Sequence, residues 1–334
     1  MKAAVPAAVP VAVPVAVPVA VVVAMPVAVV VAVGLAALPF VLPGTFYLSI
    51  AGHIIVFAML ALSLNILIGY GGMTSLGHAV YLGVPAYAYA GMSGAGMGAG
   101  PAAVLAVGLG TLLAAVFGVL ALRASGLGFL MITLALGQVM WGLSYRWVAL
   151  TGGDNGLRSS RPVLFGVDFA DPVIFYYLLA GVFAVALLCL WQLQGSPFGM
   201  CLRGARDQPR RMRMLGHNVW LIRFAAFVLA GFWGSVAGVL YVWDYGFISP
   251  QTMSLQQSAE ALLMVVLGGA GTLAGPVAGA MIITLMKTVV SSYVDRWSSL
   301  LGLIFIVVVM LLPQGLVPGL MGRRLRRVPA AARP

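Results

Sequence analysis

The chain is a succession of long apolar runs, separated by short breaks that carry glycine, proline or arginine. A run of about 18 or more apolar residues is long enough to cross the hydrocarbon core as a helix. Such runs lie near 46–69, 76–92, 101–122, 126–150, 173–194 and 221–243. A broken stretch follows at 257–292, and a last span lies near 298–318. Ahead of them, residues 1–18 form a low-complexity Val/Ala/Pro segment. Proline every fourth residue from Pro6 to Pro18 removes helical hydrogen bonds, so this segment is expected to be irregular or extended. From Val19 the run is apolar enough to span, with a kink at Pro26. It is too long for the apolar core of a signal peptide and reads as an anchor. The pattern predicts an all-α, polytopic transmembrane helical bundle over 19–320, of about 8–10 membrane segments with broken or short helices among them. The short segments of alternating polarity that mark a β-barrel do not occur.

Composition narrows this picture. Hydrophobic residues make up 62% of the chain and charged residues 7%, against roughly 25% charged in globular domains. The net charge of +11 does not point to nucleic acid, because the arginines are not spread over a fold. They cluster at 203–213 and in "RRLRR", 323–327, as they do on the cytoplasmic side of membrane proteins. Cys189 and Cys201 offer neither a metal spacing nor a disulfide pattern and read as packing residues.

Arginine placement also orders the spans. With the loop 196–219 inside, 151–172 falls outside, and it carries Asp154, Asp168 and Asp171. Arg123 and "GYGG" (69–72) then fall inside, as do the N-terminus and the basic tail 321–334. For the tail to be inside, 257–292 must begin and end outside. It is therefore a hairpin that turns at "GGAGTLAGP", 268–276.

Two stretches share the pattern Gly-x-x-Thr-x-x-Gly. One has Gly71, Thr74 and Gly77, with Ser75 and His78 beside them; the other has Gly269, Thr272 and Gly275. Each joins two apolar segments, one of them short for a full span. Paired glycine-broken segments in the two halves of a membrane protein point to a translocation path. The alternative is that the glycines only permit close helix packing. For Ala226, Ala230, Gly234 and Gly238, four apart on one face, packing is the reading taken.

His53, His78 and His217 form no metal spacing, no carboxylates pair within a span, and no phosphate-binding loop occurs. No cofactor, metal or catalytic residue is expected. Ionisable groups inside a membrane are costly and default to function, and few are offered. Glu260 is placed near the outer surface, where it faces water, favours a helix N-terminus or takes a transport role. Arg146, Arg223 and Lys287 lie towards span ends, from which they can snorkel. His78 is either a cavity-lining group or a helix-start residue bonded to backbone. An ion-coupled secondary transporter would need a buried relay of such groups, and a membrane enzyme would need a nucleophile or metal cluster. Their scarcity points to energy supplied by a partner, received at the basic loop.

Several stretches resemble the LivM-type permeases of branched-chain amino acid ABC importers. They are "LALSLNILIGYGGMTSLGHAVYLGVPAYA" (60–88), "TGGDNGL" (151–157), "SPFGMCLRGARDQPRRMRMLGHNVWLIRFAAFVLAGFWGSVAGVLY" (196–241), "GFISPQTMSLQQSAEALLMVVLGGAGTLAGPVAGA" (246–280) and "PQGL" (313–316). The resemblance runs collinearly over about 40–320. It implies a multi-pass inner-membrane subunit paired with a second, related permease. The pair would stand on two cytoplasmic ATPase subunits and receive solute from a periplasmic binding protein. It also implies that the loop after "SPFG" is a coupling helix, a role that falls by position on Arg203, Arg206, Asp207, Leu215 and Gly216. The departures are Met73 and Thr74, where relatives commonly have a glutamine-containing element, and "PRRMRM" (209–214), where many have an alanine- and glutamate-rich stretch. Arginine there also occurs in relatives that import urea or short amides, so these solutes stay beside the branched-chain amino acids as alternatives.

Overall fold

The computed structural model describes residues 44–164 and 167–290, together with 39, 299, 302–303 and 315–317. The Val/Ala/Pro segment 1–18, the expected anchor from Val19, nearly all of the last span and the tail 321–334 lie outside the described residues.

Helix α1 (Thr45–Asn65) runs on through a π-helical turn, Ile66–Tyr70, into an irregular stretch that ends at α2 (Val80–Gly94). Then follow α3 (Ala99–Ala121), α4 (Leu127–Arg146) and the single turn α5 (Val148–Thr151). A loop with three two-residue strands, β1 (Leu157–Arg158), β2 (Val163–Leu164) and β3 (Val167–Asp168), leads to α6 (Pro172–Gly195). Two short helices, α7 (Pro197–Asp207) and α8 (Pro209–Met214), precede α9 (Val219–Tyr245). The described fold closes with β4 (Phe247–Ile248), α10 (Leu255–Gly268) and α11 (Ala274–Val290).

Local chemistry fixes the boundaries. Asp171, Ser196, Asn218 and Ser254 each accept a hydrogen bond from a backbone N–H in the first turn of α6, α7, α9 and α10, respectively, which satisfies a donor the helix cannot. Proline follows directly in α6 and α7, at the position where its missing N–H costs nothing. Pro209 ends α7 by forcing Gln208 to φ −141°, outside the helical region.

Among the described residues, five helices are long and apolar enough to cross a membrane: α1 with its π-helical turn, α3, α4, α6 and α9. The expected span at 76–92 is shorter than a full crossing, because α2 has 15 residues and begins at Val80. The broken stretch is the expected hairpin: α10 and α11 pack on each other through a turn at 269–273.

Helix α1 sits at the centre, in contact with α6, α9, α10 and α11. It is apolar on every side, as a wholly buried helix should be, and all residues from Ile55 to Leu64 are buried. By contrast α3, α4 and α6 turn large apolar side chains outwards, among them Val104, Leu112, Met131, Val139 and Val185. Such faces suit lipid or another apolar helix. An antiparallel pair, Leu157 opposite Ile248 and Arg158 opposite Phe247, ties the 147–171 loop to the end of α9.

Small residues on α9 set close crossings with α2 and α3. A Cβ on Gly231 would collide with Ala114 of α3, and one on Gly238 with the Leu82 carbonyl of α2. The stripe read as packing is therefore packing at Ala226, Ala230, Gly234 and Gly238, all of them buried, and a Cβ on Gly234 would meet Tyr81 of α2. Gly108 on α3 has nothing within 4 Å of such a Cβ. Gly231→Val should cost about 1–3 kcal/mol through overpacking and lower the thermal midpoint in detergent. Gly108→Val should leave the midpoint near wild type, and equal midpoints for the two variants would refute this packing.

Candidate functional site

The two glycine-broken elements meet at the C-terminal end of α1, and Asn65 joins them. This side chain is fully buried in an otherwise apolar run. Its Oδ1 accepts from the Gly271 N–H at 2.8 Å, and its Nδ2 donates to the Thr272 carbonyl at 2.8 Å. One amide thus supplies a donor and an acceptor to a backbone that has left the helical ladder. Without such partners an irregular backbone would not survive at membrane depth.

The surrounding glycines let the backbones touch. A Cβ on Gly69 would strike Asn65 Oδ1 and the backbone of Gly271, and Gly271 itself is left-handed at φ +84°. Gly315, from the "PQGL" motif, abuts Gly269 in the same way. Thr272 stitches the second break internally, donating to the Gly269 carbonyl at 2.9 Å and accepting from the Gly275 N–H at 3.0 Å.

The first break is held along its whole length. Gly71 closes the π-helical turn through its N–H to the Ile66 carbonyl at 3.1 Å. Leu76 N–H donates to Thr133 Oγ1 at 3.3 Å, and Gly77 lies against the Thr133 carbonyl and Gly137 of α4. Ala79 N–H donates to Ser258 Oγ of α10 at 3.2 Å. His78 is buried and bonds a side chain, not the backbone as the helix-start reading expected. Ser63 donates its hydroxyl hydrogen to the Leu60 carbonyl at 2.7 Å, so His78 Nε2 must be the donor to Ser63 Oγ at 2.8 Å. Ser75 is buried and Thr74 half-buried.

The basic loop reaches this junction. Arg206 of α7 donates from Nη1 to the Gly69 carbonyl at 2.5 Å and from Nε to Asp207 at 2.8 Å. Its side-chain methylenes cover Gly72, which adopts φ +64° and leaves no room for a Cβ beneath the arginine. Arg203 donates to the Gln194 carbonyl at 2.7 Å and lies over the Tyr70 ring, 5.6 Å from its centre. Arg223 was expected to snorkel; instead it donates to the Ala205 carbonyl at 2.9 Å and pins α7 to α9. Leu215 and Gly216 stand apart, exposed after α8. In α8 no residue is buried.

An ion pair and a histidine–carboxylate hydrogen bond lie towards the other end of α1. Glu260 does not cap α10, since Ser254 does. Its carboxylate is 2% exposed and accepts from Lys287 of α11 at 2.9 Å, which replaces the expected snorkelling lysine. Asp244 of α9 meets His53 Nδ1 at 2.6 Å with its carboxylate 3% exposed. Buried ionisable groups are thus less scarce than the sequence suggested, and each carboxylate has a cationic or hydrogen-bonding partner.

Sequence reasoning missed Asn65, Gly69, His53 and Asp244. The signal for Asn65 was available: a lone amide in "ALSLNILIGY" (61–70) needs a partner in hydrocarbon. Asp244 gave none, since it lies at a span end, where an acid is unremarkable.

Buried broken segments within a multi-pass helical bundle are the build of a transport permease. The chain belongs to the family described as branched-chain amino acid transport system / permease component, whose model matches residues 46–312. It is 28% identical over 298 residues to the high-affinity branched-chain amino acid transport system permease protein LivM of Escherichia coli (strain K12), covering 80% of this chain and 69% of that one. The LivM protein of Salmonella typhimurium (strain LT2) is 26% identical over 294 residues, with the same coverage. A shorter likeness, 31% over 150 residues, joins 43% of this chain to 40% of the autoinducer 2 import system permease protein LsrC of Salmonella paratyphi B. No solved structure matches.

Asn65→Leu should leave the Gly271 N–H and the Thr272 carbonyl without partners, at about 1–3 kcal/mol for each buried group. Hydrogen–deuterium exchange read by mass spectrometry should then quicken across 269–275. Exchange there at the wild-type rate would show that Asn65 does not hold the second break.

Proposed function

We propose that this chain is the membrane-spanning permease subunit of an ABC importer for branched-chain or similar small hydrophobic amino acids. The family and the LivM relatives support the substrate class. Urea or a short-chain amide is the alternative carried by the arginines of "PRRMRM". Hydrolysis of ATP would fall to partners and not to this chain. Those partners are two cytoplasmic ATPase subunits, a second, related permease and a periplasmic solute-binding protein. The positive-inside pattern supports the inner membrane with both termini and the loop 196–219 on the cytoplasmic side. The transmembrane domain would then span 19–320 and the basic tail 321–334.

The observation that carries the mechanism is the Arg206–Gly69 contact. It joins α7 to the point where α1 leaves its helix, while Asn65 joins that point to the α10–α11 turn. A movement of α7, driven by an ATPase docked on it, would reach both breaks as a rigid-body displacement. The path elements are Gly71, Thr74, Ser75, Gly77 and His78 on one side and Gly269, Thr272 and Gly275 on the other. The coupling elements are Arg203, Arg206 and Asp207, with Leu215 and Gly216 exposed as docking surface.

A charge-assisted hydrogen bond is worth about 1.5–3 kcal/mol, so Arg206→Glu should lower coupled uptake by about tenfold or more. Solute-stimulated ATP hydrolysis in proteoliposomes holding the whole complex should fall with it, while the subunit still inserts and assembles. Undiminished stimulation would remove Arg206 from the coupling route. Purified chain alone driving uptake down an ion gradient would overturn the ABC reading.

A further inference from the structure

Around the middle of α1, on the far side of Asn65 from α7, charged and aromatic side chains of four helices converge. Glu260 of α10 and Lys287 of α11 close an ion pair at 2.9 Å, with Gln256 Nε2 donating to Glu260 Oε1 at 3.2 Å. Lys287 Nζ lies 5.9 Å from the centre of the Phe57 ring of α1. Phe57 meets Tyr241 of α9 edge-on at 6.3 Å, and Tyr241 stacks on Tyr245 at 4.3 Å. Tyr245 in turn stacks on His53 at 4.2 Å. One helical turn from the ion pair, Gln257 and Thr284 are nine-tenths or more buried. Among the described residues, Gln257 Nε2 and Thr284 Oγ1 have no hydrogen-bond partner.

We infer that the Glu260–Lys287 pair, with Gln257 and Thr284 beside it, binds the zwitterionic backbone of an α-amino acid on its way through the membrane. The inference rests on the transport reading above and deepens it by naming what the site recognises. Separating a buried ion pair is costly because it strands a charge. A solute bearing one charge would strand one partner, and a neutral amide would strand both. An α-amino acid brings an ammonium for Glu260 and a carboxylate for Lys287, so every charge stays paired when the partners exchange. The asymmetry of the pair suits this exchange. Glu260 is fixed at 2% exposure, whereas the Lys287 side chain is 35% exposed and has the rotamers to swing aside. Gln257 and Thr284 offer the donor and the hydroxyl that a polar backbone takes up. The rings of Phe57 and Tyr241 supply an apolar wall for an aliphatic side chain, and a face for the ammonium.

The test uses the detergent-purified complex without the binding protein, because that protein would mask the permease's own affinity. Three ligands are compared by the shift in melting temperature: leucine, leucinamide (no carboxylate) and 4-methylpentanoate (no ammonium). Wild type should be stabilised most by leucine, since ligand binding to the folded form raises its stability. Lys287→Met should lose that preference and respond to leucinamide at least as well as to leucine. Glu260→Gln should shift the preference towards 4-methylpentanoate. A purely structural ion pair would lower the melting temperature of both variants but leave the order of ligands unchanged, and that result overturns the inference. So does a complex that imports leucine yet is stabilised equally by all three compounds. If either single variant fails to fold, the charge-swapped Glu260→Lys/Lys287→Glu protein restores the pair, and its ligand order decides. Failure of the transport reading shows separately, as wild-type complex that hydrolyses ATP but takes up no leucine.

Discussion

The two hydrogen bonds of the Asn65 amide are the constraint from which the interior of this protein follows. Two helices are interrupted inside an apolar bundle, and each interruption frees backbone groups that hydrocarbon cannot satisfy. Asn65 answers the Gly271 N–H and the Thr272 carbonyl with one side chain. For those bonds to form, the second break must lie against the end of α1. That approach leaves no space for a Cβ on Gly69. The glycines of the two elements are therefore packing residues, and the proposed path would run along the same contact. Glycine lets the backbones touch, and the touch provides the hydrogen-bond partners that the broken ladders need.

The same junction explains the position of the basic loop. The π-helical turn leaves the Gly69 carbonyl directed away from the regular ladder, and Arg206 completes it. Arg203 and Arg223 spend their donors on the carbonyls of Gln194 and Ala205, which ties α7 to the ends of α6 and α9. Three arginines thus bind α7 to three membrane helices by charge-assisted bonds, stronger than ordinary ones. The remaining arginines of the loop, Arg210, Arg211 and Arg213, are exposed on α8. The basic island is accordingly two structures: a clamp on the bundle at 203–206, and an open cationic surface at 209–214.

How much of this was legible in the sequence depends on the scale of the feature. The long spans follow from apolar length alone, and α3, α6 and α9 fall within two residues of their predicted limits. The hairpin at 257–292 was also legible, because the arginines left no other way to bring the tail inside. The short α2 was not, because nothing in Leu76-Gly77-His78-Ala79 itself marks where the irregular backbone gives way to helix. His78 and Ala79 spend their bonds on Ser63 and Ser258, which are remote in sequence. The two buried carboxylate contacts were hidden for a related reason. Glu260 and Lys287 are 27 residues apart and His53 and Asp244 are 191 apart, and only tertiary packing decides whether such a charge faces water or a partner. Single residues near span ends were read as solvated, and the fold had instead brought them together.

Helix α1 links the two polar centres. His53 and Phe57 stand near the middle of the helix and Asn65 at its end, and every residue from Ile55 to Leu64 is buried. Twelve residues of helix separate His53 from Asn65, or about 18 Å at 1.5 Å per residue. Flexible side chains could not carry a displacement over that distance, but a close-packed helix can, because its interior has few voids to absorb the movement. A shift at the Gly69 end would therefore be felt by His53 and Phe57, and through them by Asp244, Tyr241 and the Lys287 ammonium. The hairpin offers a second route, since its turn touches Gly69 and its arms carry Glu260 and Lys287. Both routes start at the carbonyl that Arg206 holds, so under the proposed mechanism the two polar centres would move together.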